Sequence, residues 1–220
     1  MKKDPEILLK VMGETGMIPV FNHSDIEIAK KVLDACYSGG VRVFEFTNRS
    51  DNSPEVFGLL KAHAIKYEDL FLGIGTIMSK EEAIEFIDLR ADFIVSPAFI
   101  PEVAQACKSR DSFWIPGCGT VTEIYEAKKA GASLVKAFPG NVLGPEFIVA
   151  SKSVFPDLKL MPTGGVEPTF ENLSGWFKAG VTCVGMGSQL FKKEWIQSGS
   201  FEKIIETTKN MLKTIESIRA

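Results

Sequence analysis

The sequence predicts an α/β fold, a (β/α)8 TIM barrel carrying an extra N-terminal helix. Three observations lead there. Eight short apolar runs, rich in β-branched or aromatic residues, alternate with amphipathic stretches of helical periodicity. The runs are apolar on both faces, as strands of a helix-covered parallel sheet must be. Small-residue stops precede several of the runs, at Ser38-Gly39-Gly40, Ala130-Gly131-Ala132 and Ala179-Gly180. An open doubly wound sheet shares this alternation and remains the alternative on pattern alone.

In chain order, Asp4–Thr15 reads as the extra helix, closing the bottom of the barrel. The first strand is Met17–Phe21. A helix over Asp25–Tyr37 follows, with Ile26, Ala29, Val32, Leu33 and Cys36 on one face. The pattern continues with strands at Val41–Phe46, Leu70–Ile74, Asp92–Val95 and Phe113–Ile115. Pro54–Lys66, Lys80–Leu89 and Glu102–Ser109 are the helices between them. The second half has strands at Ser133–Ala137, Leu158–Met161 and Val181–Gly185, with helices at Thr122–Ala130, Gly144–Val154 and Thr169–Lys178. Phe201–Ile218 is a last helix packed outside the barrel. No linker or low-complexity segment intervenes, so residues 1–220 read as one domain.

Composition excludes several function classes. A net charge of -3 offers no footprint for nucleic acid or an anionic membrane. No apolar run approaches the roughly 18 residues of a membrane span. Met1-Lys2-Lys3-Asp4-Pro5-Glu6 turns acidic before any apolar core develops, unlike a signal peptide. Cys36, Cys107, Cys118 and Cys183 lack CxxC or zinc spacing and read as reduced thiols of a cytoplasmic protein. His23 and His63 are the two histidines, and no cluster of metal-ligand residues surrounds either. Neither a metal nor another cofactor is expected.

The residue that asks for an explanation is Lys136, an amine inside the apolar run Leu134-Val135-Lys136-Ala137-Phe138-Pro139. A buried ammonium is costly unless paired or neutralised, and a neutral buried amine attacks carbonyl carbon. A lysine snorkelling from a strand end is the plainer reading. Barrels draw reactive groups from the C-terminal ends of their strands. Alternation puts Val41, Val43 and Glu45 on one face of the second strand, and Leu134, Lys136 and Phe138 on one face of the sixth. A carboxylate and an amine from two strands can therefore meet at the mouth, as a catalytic pair or as a structural ion pair. Arg49, just beyond Glu45, suits a substrate carboxylate; an exposed loop arginine is the alternative. Pro162-Thr163-Gly164-Gly165 follows the seventh strand, and Gly185-Met186-Gly187-Ser188 the eighth, with Ser188 expected to open a helix. Glycine lets backbone N–H groups approach an anion, and barrels bind phosphate at these two positions. Gly73-Ile74-Gly75-Thr76, Ser96-Pro97 and Pro116-Gly117-Cys118-Gly119 put small residues at the mouth, which ordinary turn chemistry also explains. Cys118 reads as core lining.

Six ordered motifs resemble the class I aldolases of 2-keto-3-deoxy-6-phosphogluconate (KDPG) and 4-hydroxy-2-oxoglutarate (KHG). They are Gly39-Gly40-Val41-Arg42-Val43-Phe44-Glu45-Phe46-Thr47, Gly73-Ile74-Gly75-Thr76, Val95-Ser96-Pro97, Val135-Lys136-Ala137-Phe138-Pro139, Pro162-Thr163-Gly164-Gly165-Val166 and Gly185-Met186-Gly187-Ser188. The resemblance implies a homotrimeric barrel in which Lys136 forms the Schiff base and Glu45 is the acid/base. It implies that Arg49 and Thr76 hold the pyruvyl carboxylate, with Pro97, Phe138 and Thr163 lining the substrate pocket. Gly164, Gly165, Gly187 and Ser188 would hold phosphate, and the ligands would be a phosphorylated keto acid and pyruvate. Phe21-Asn22-His23-Ser24 departs from the family, where many relatives place an arginine, and Asn48-Arg49-Ser50-Asp51 also differs. These loops leave the sugar open, and the Pro116–Glu123 and Gly144-Pro145-Glu146-Phe147 segments look equally like the 6-phosphogalactonate branch. Another phosphate-binding barrel enzyme, or a barrel that lost its chemistry, is the competing reading.

Overall fold

A computed structural model describes residues 4–220. Met1 to Lys3, which open the segment read as unlike a signal peptide, lie outside the described residues. Helix α1 (Pro5–Thr15) is capped by Asp4, whose carboxylate accepts the Glu6 N–H at 2.8 Å. Strand–helix units follow as β1 (Met17–Phe21), α2 (Ile26–Ser38), β2 (Val43–Thr47), α3 (Ser53–Ala64), β3 (Phe71–Gly75), α4 (Lys80–Asp88), β4 (Phe93–Val95) and α5 (Pro101–Ser109). Then come β5 (Phe113–Ile115), β6 (Gly117–Cys118), α6 (Val121–Lys129), β7 (Val135–Ala137) and α7 (Gly140–Val154). The chain continues through β8 (Leu160–Pro162), α8 (Phe170–Lys178), β9 (Val184–Met186), α9 (Lys193–Ser198) and α10 (Phe201–Arg219). Asp25, Ser79, Thr120 and Thr169 each accept a first-turn N–H, which explains why helices begin where they do.

The protein is an α/β fold of parallel strands, in two sheets. One has six strands in the order β5-β4-β3-β2-β1-β9, the other three in the order β6-β7-β8. The expected single sheet of eight strands is divided at two places, each with a physical cause. Pro116 has no N–H to give to a ladder, so the expected fifth strand ends before it as β5, and the chain pairs again beyond it as β6, in a segment read as a loop. Between β8 and β9 the ladder shrinks to an isolated bridge from Thr163 to Gly185, beside a Thr182 N–H bond to the Leu160 carbonyl at 2.9 Å. Several expected strands also start too early. Val41, Leu70, Leu158 and Val181 are buried, but ahead of the ladder. Helix α7 starts at Gly140 rather than Gly144, and Gly144 at φ 70° breaks its path.

Strand alternation sorts the core into two clusters. Phe44, Phe46, Leu72, Ile74, Ile94, Val135, Ala137, Leu160, Val184 and Met186 pack against the helices. Ile18, Val43, Phe71, Phe93, Val95, Phe113, Ile115, Leu134, Met161 and Cys183 form the other cluster, which Leu8 and Met12 of α1 join. Glu45 follows Val43 by two residues and Lys136 follows Leu134 by two, so both polar side chains rise from this second cluster.

Candidate active site

Lys136 and Glu45 are 4% and 1% exposed, and Lys136 Nζ lies 4.0 Å from Glu45 Oε1. That separation exceeds a hydrogen bond. Neither oxygen of Glu45 has a hydrogen-bond partner. Burial pushes the Glu45 carboxyl above the usual range, against the opposing charges of Lys136 and Arg49. Burial pushes the Lys136 ammonium down; Glu45 opposes this, and Arg49 adds to it. The ring centre of Phe138 lies 5.0 Å from Nζ and offers the amine an aromatic face. The strands hold both side chains in place: Lys136 is in register with Gly117 and Met161, and Glu45 with Val20 and Gly73. The Lys136 N–H bonds the Pro116 carbonyl at 2.8 Å.

Two carboxylate-binding candidates sit beside the pair. Arg49 is exposed in the turn after β2, and its Nε–H reaches Thr76 Oγ1 at 3.3 Å. Thr76 has φ 63°, a left-handed conformation unusual for a β-branched residue, at the end of β3. Gly75, just before it, faces Glu45 so closely that a Cβ there would overlap Oε1. The sequence marked Gly75 as a small residue at the mouth; its role in making room for the carboxylate emerges only from the register.

The two glycine-rich loops lie at neighbouring strand ends, joined by the Thr163–Gly185 bridge. Gly164 and Gly165 have φ 86° and 68° and press against Asn141 at the start of α7. Thr163 Oγ1 is buried without a partner. Gly187 sits against the Val20 carbonyl of β1. Ser188 corrects an expectation: it occupies an exposed turn, closed by Leu190 N–H to Gly187 O at 2.9 Å, and the next helix starts at Lys193. The intervening Leu190 and Phe191 are buried apolar residues that carry the chain back over the core before it coils. Pro97, after β4, packs its carbonyl against Gly117 and so borders the β6 side of the mouth.

Residue reading gave no role to Asn22, Asn48 or Glu82. Asn22 bonds the Thr47 carbonyl and the Ser50 hydroxyl, while Asn48 bonds Glu82 of the α4 capping box. Asn22 stood out as a departure from the family, but its partners depend on loop geometry. Among the described residues, no three His, Cys, Asp or Glu side chains gather as metal ligands, and no helix is long and apolar enough to cross a membrane.

Comparison with known proteins bears on this arrangement. The family of KDPG and KHG aldolases matches residues 8–207. The chain is 35% identical over 143 residues to the 2-dehydro-3-deoxy-6-phosphogalactonate aldolase of Escherichia coli (strain K12), covering 64% of this chain and 69% of that one. It is 30% identical to the 2-dehydro-3-deoxy-phosphogluconate aldolase of Pseudoalteromonas atlantica, over 90% of this chain and 91% of that one. Its fold is similar to the KDPG aldolase of Legionella pneumophila solved with pyruvate captured as a covalent carbinolamine, at TM-score 0.84 and 27% identity, covering 95% of this chain and 98% of that one. A family match that runs from α1 into α10 covers every strand from which the site is built, and the chain belongs to the KDPG and KHG aldolase family as a lyase.

Proposed function

We propose that the protein is a metal-independent class I aldolase that cleaves 2-dehydro-3-deoxy-6-phosphogluconate to pyruvate and D-glyceraldehyde 3-phosphate, and 4-hydroxy-2-oxoglutarate to pyruvate and glyoxylate. The observation that carries the reading is the buried Lys136 amine, 4.0 Å from a buried carboxylate that has no other partner. Neutral Lys136 Nζ attacks the C2 ketone, and loss of water leaves a protonated imine. Glu45, through a water, takes the proton of the C4 hydroxyl. The C3–C4 electrons flow into the imine as an enamine, and the aldehyde departs. Protonation at C3 and hydrolysis release pyruvate and restore the amine.

The remaining residues receive roles in the same reading. Arg49 and Thr76 hold the keto-acid carboxylate, and Phe138 and Pro97 wall the pyruvyl end. Thr163, Gly164, Gly165, Gly187 and Ser188 receive the phosphate through backbone N–H and hydroxyl groups. Continuity across Pro116 and the Thr163–Gly185 bridge support treating the two sheets as one (β/α)8 barrel, with β5 and β6 as a single strand, in a single domain. A homotrimer in the cytoplasm belongs to this proposal as well, on the strength of the sequence resemblance and composition.

The 6-phosphogalactonate epimer is the second reading, favoured by the 35% identity to the Escherichia coli enzyme. Steady-state comparison of the two epimers decides between them. Incubation with pyruvate and borohydride should give a reduced adduct that maps to Lys136. Lys136→Met should lose both adduct and turnover while keeping a cooperative thermal transition. Near-normal turnover in that variant would sink the proposal.

A further inference from the structure

Arg49 is exposed, and a flexible arginine loses side-chain freedom when it binds a carboxylate. The turn that carries it is nevertheless tied down on both sides. Asn22 Nδ2 donates to the Thr47 carbonyl at 2.6 Å, and Asn22 Oδ1 accepts the Ser50 hydroxyl at 2.9 Å. These bonds land two residues before Arg49 and one after it. On the far side, Asn48 Nδ2 donates to Glu82 Oε1 at 3.2 Å, and the Asn48 N–H bonds the Gly75 carbonyl at 2.8 Å. The first loop thus grips the second through the Asn22 amide, which uses both its donor and its acceptor, and Asn52 Nδ2 farther along donates back to the Ser24 carbonyl at 2.9 Å. Hydrophobic packing does not replace it, because the segment is polar and only partly buried.

We propose that Asn22 is a positioning residue for the keto-acid carboxylate: it clips the Thr47–Ser50 turn so that Arg49 is held ready at the side of Lys136. It acts through Arg49 and contacts no reacting atom. The inference rests on the role assigned above to Arg49. It also gives the departure after β1 a job: a neutral amide donates to the Thr47 carbonyl and accepts the Ser50 hydroxyl at once.

The test uses the full chain and pyruvate, with borohydride trapping at Lys136 read as a function of pyruvate concentration, beside steady-state aldol cleavage. Asn22→Ala should raise both half-saturating pyruvate and KM about tenfold, the scale set by two lost hydrogen bonds. It should leave kcat within about twofold, because the chemical step is untouched. Ser50→Ala, which removes one of the two bonds, should give a smaller rise and serves where Asn22→Ala folds poorly. Trapping with acetone, a ketone without a carboxylate, should be unchanged by either variant. In an Arg49→Ala background, Asn22→Ala should add nothing further to half-saturation. Additive effects, or an equal loss with acetone, would overturn the proposal in favour of a general structural role. So would unchanged half-saturation in both loop variants. If Arg49→Ala alone leaves pyruvate half-saturation unchanged, the role of Arg49 fails first and takes this inference with it.

Discussion

Lys136 and Glu45 meet because each lies two residues above a core position, Leu134 and Val43, on strands that differ in the chain by most of a hundred residues. Burial acts on them in opposite senses: it lowers the lysine and raises the carboxyl, and both shifts favour uncharged forms. The proposed chemistry needs a neutral amine and an anionic carboxylate. The raised carboxyl means that the base form is lost on acidification earlier than for an ordinary glutamate near 4.3. The acidic limb of kcat/KM should therefore lie above that value, falling as pH falls. Glu45→Gln should remove the Glu45 contribution to this limb, leaving that of Lys136 protonation, and lower kcat about a hundred- to ten-thousandfold, while pyruvate still forms a reducible adduct at Lys136. A pH–rate profile of both proteins checks the prediction; an acidic limb unchanged in Glu45→Gln would assign it elsewhere. Gly75 belongs to the same scale. Gly75→Ala should drive the carboxylate out of position and cost kcat far more than KM, measured in the same assay.

At the scale of elements, the legible parts were those governed by short-range rules. The face of α2 defined by Ile26, Ala29, Val32, Leu33 and Cys36, the extent of α1 to within a residue at its start, and the alternation through Glu45 and Lys136 all follow from periodicity. What stayed hidden depends on which strand lies beside which. The overlap of Gly75 with Glu45, the grip of Asn141 on Gly164 and Gly165, and the Asn22 clip join residues far apart in the chain. Ser188 misled because a small residue after a strand resembles a helix cap, whereas Leu190 and Phe191 had first to be buried. Helix α1 was legible as an element and informative as a plug: Leu8 and Met12 seal the cluster beneath Lys136 and Glu45. Leu8→Ala should cost about 2–5 kcal/mol of stability by chemical denaturation. The same variant should keep kcat within about twofold, since it lies at the opposite end of the strands from the chemistry.

Across the whole molecule, α10 fastens the fold to its beginning. Arg219 donates to the Gly13 carbonyl and the Thr182 carbonyl, each at 2.7 Å, with its guanidinium centre 4.5 Å from the ring centre of Phe177. It thereby spans α1, the approach to β9 and α8. Arg219→Ala should lower stability by about 1–2 kcal/mol, the low end because the side chain is partly exposed, and lower Tm by a few degrees. Turnover at 25 °C should not change.

The four cysteines, all buried, add a property of a different kind. Burial pushes the Cys118 and Cys183 thiols up to about 12 and the Cys36 thiol higher still, which starves each of the reactive thiolate. They are spread over α2, α5, β6 and the approach to β9, so they sample the molecule at four separate stations. An alkylating reagent can reach each one only when its own neighbourhood opens, and labelling rates in the native protein become four clocks of local opening. The clock at Cys118 times the opening of β6 and the strands beside it.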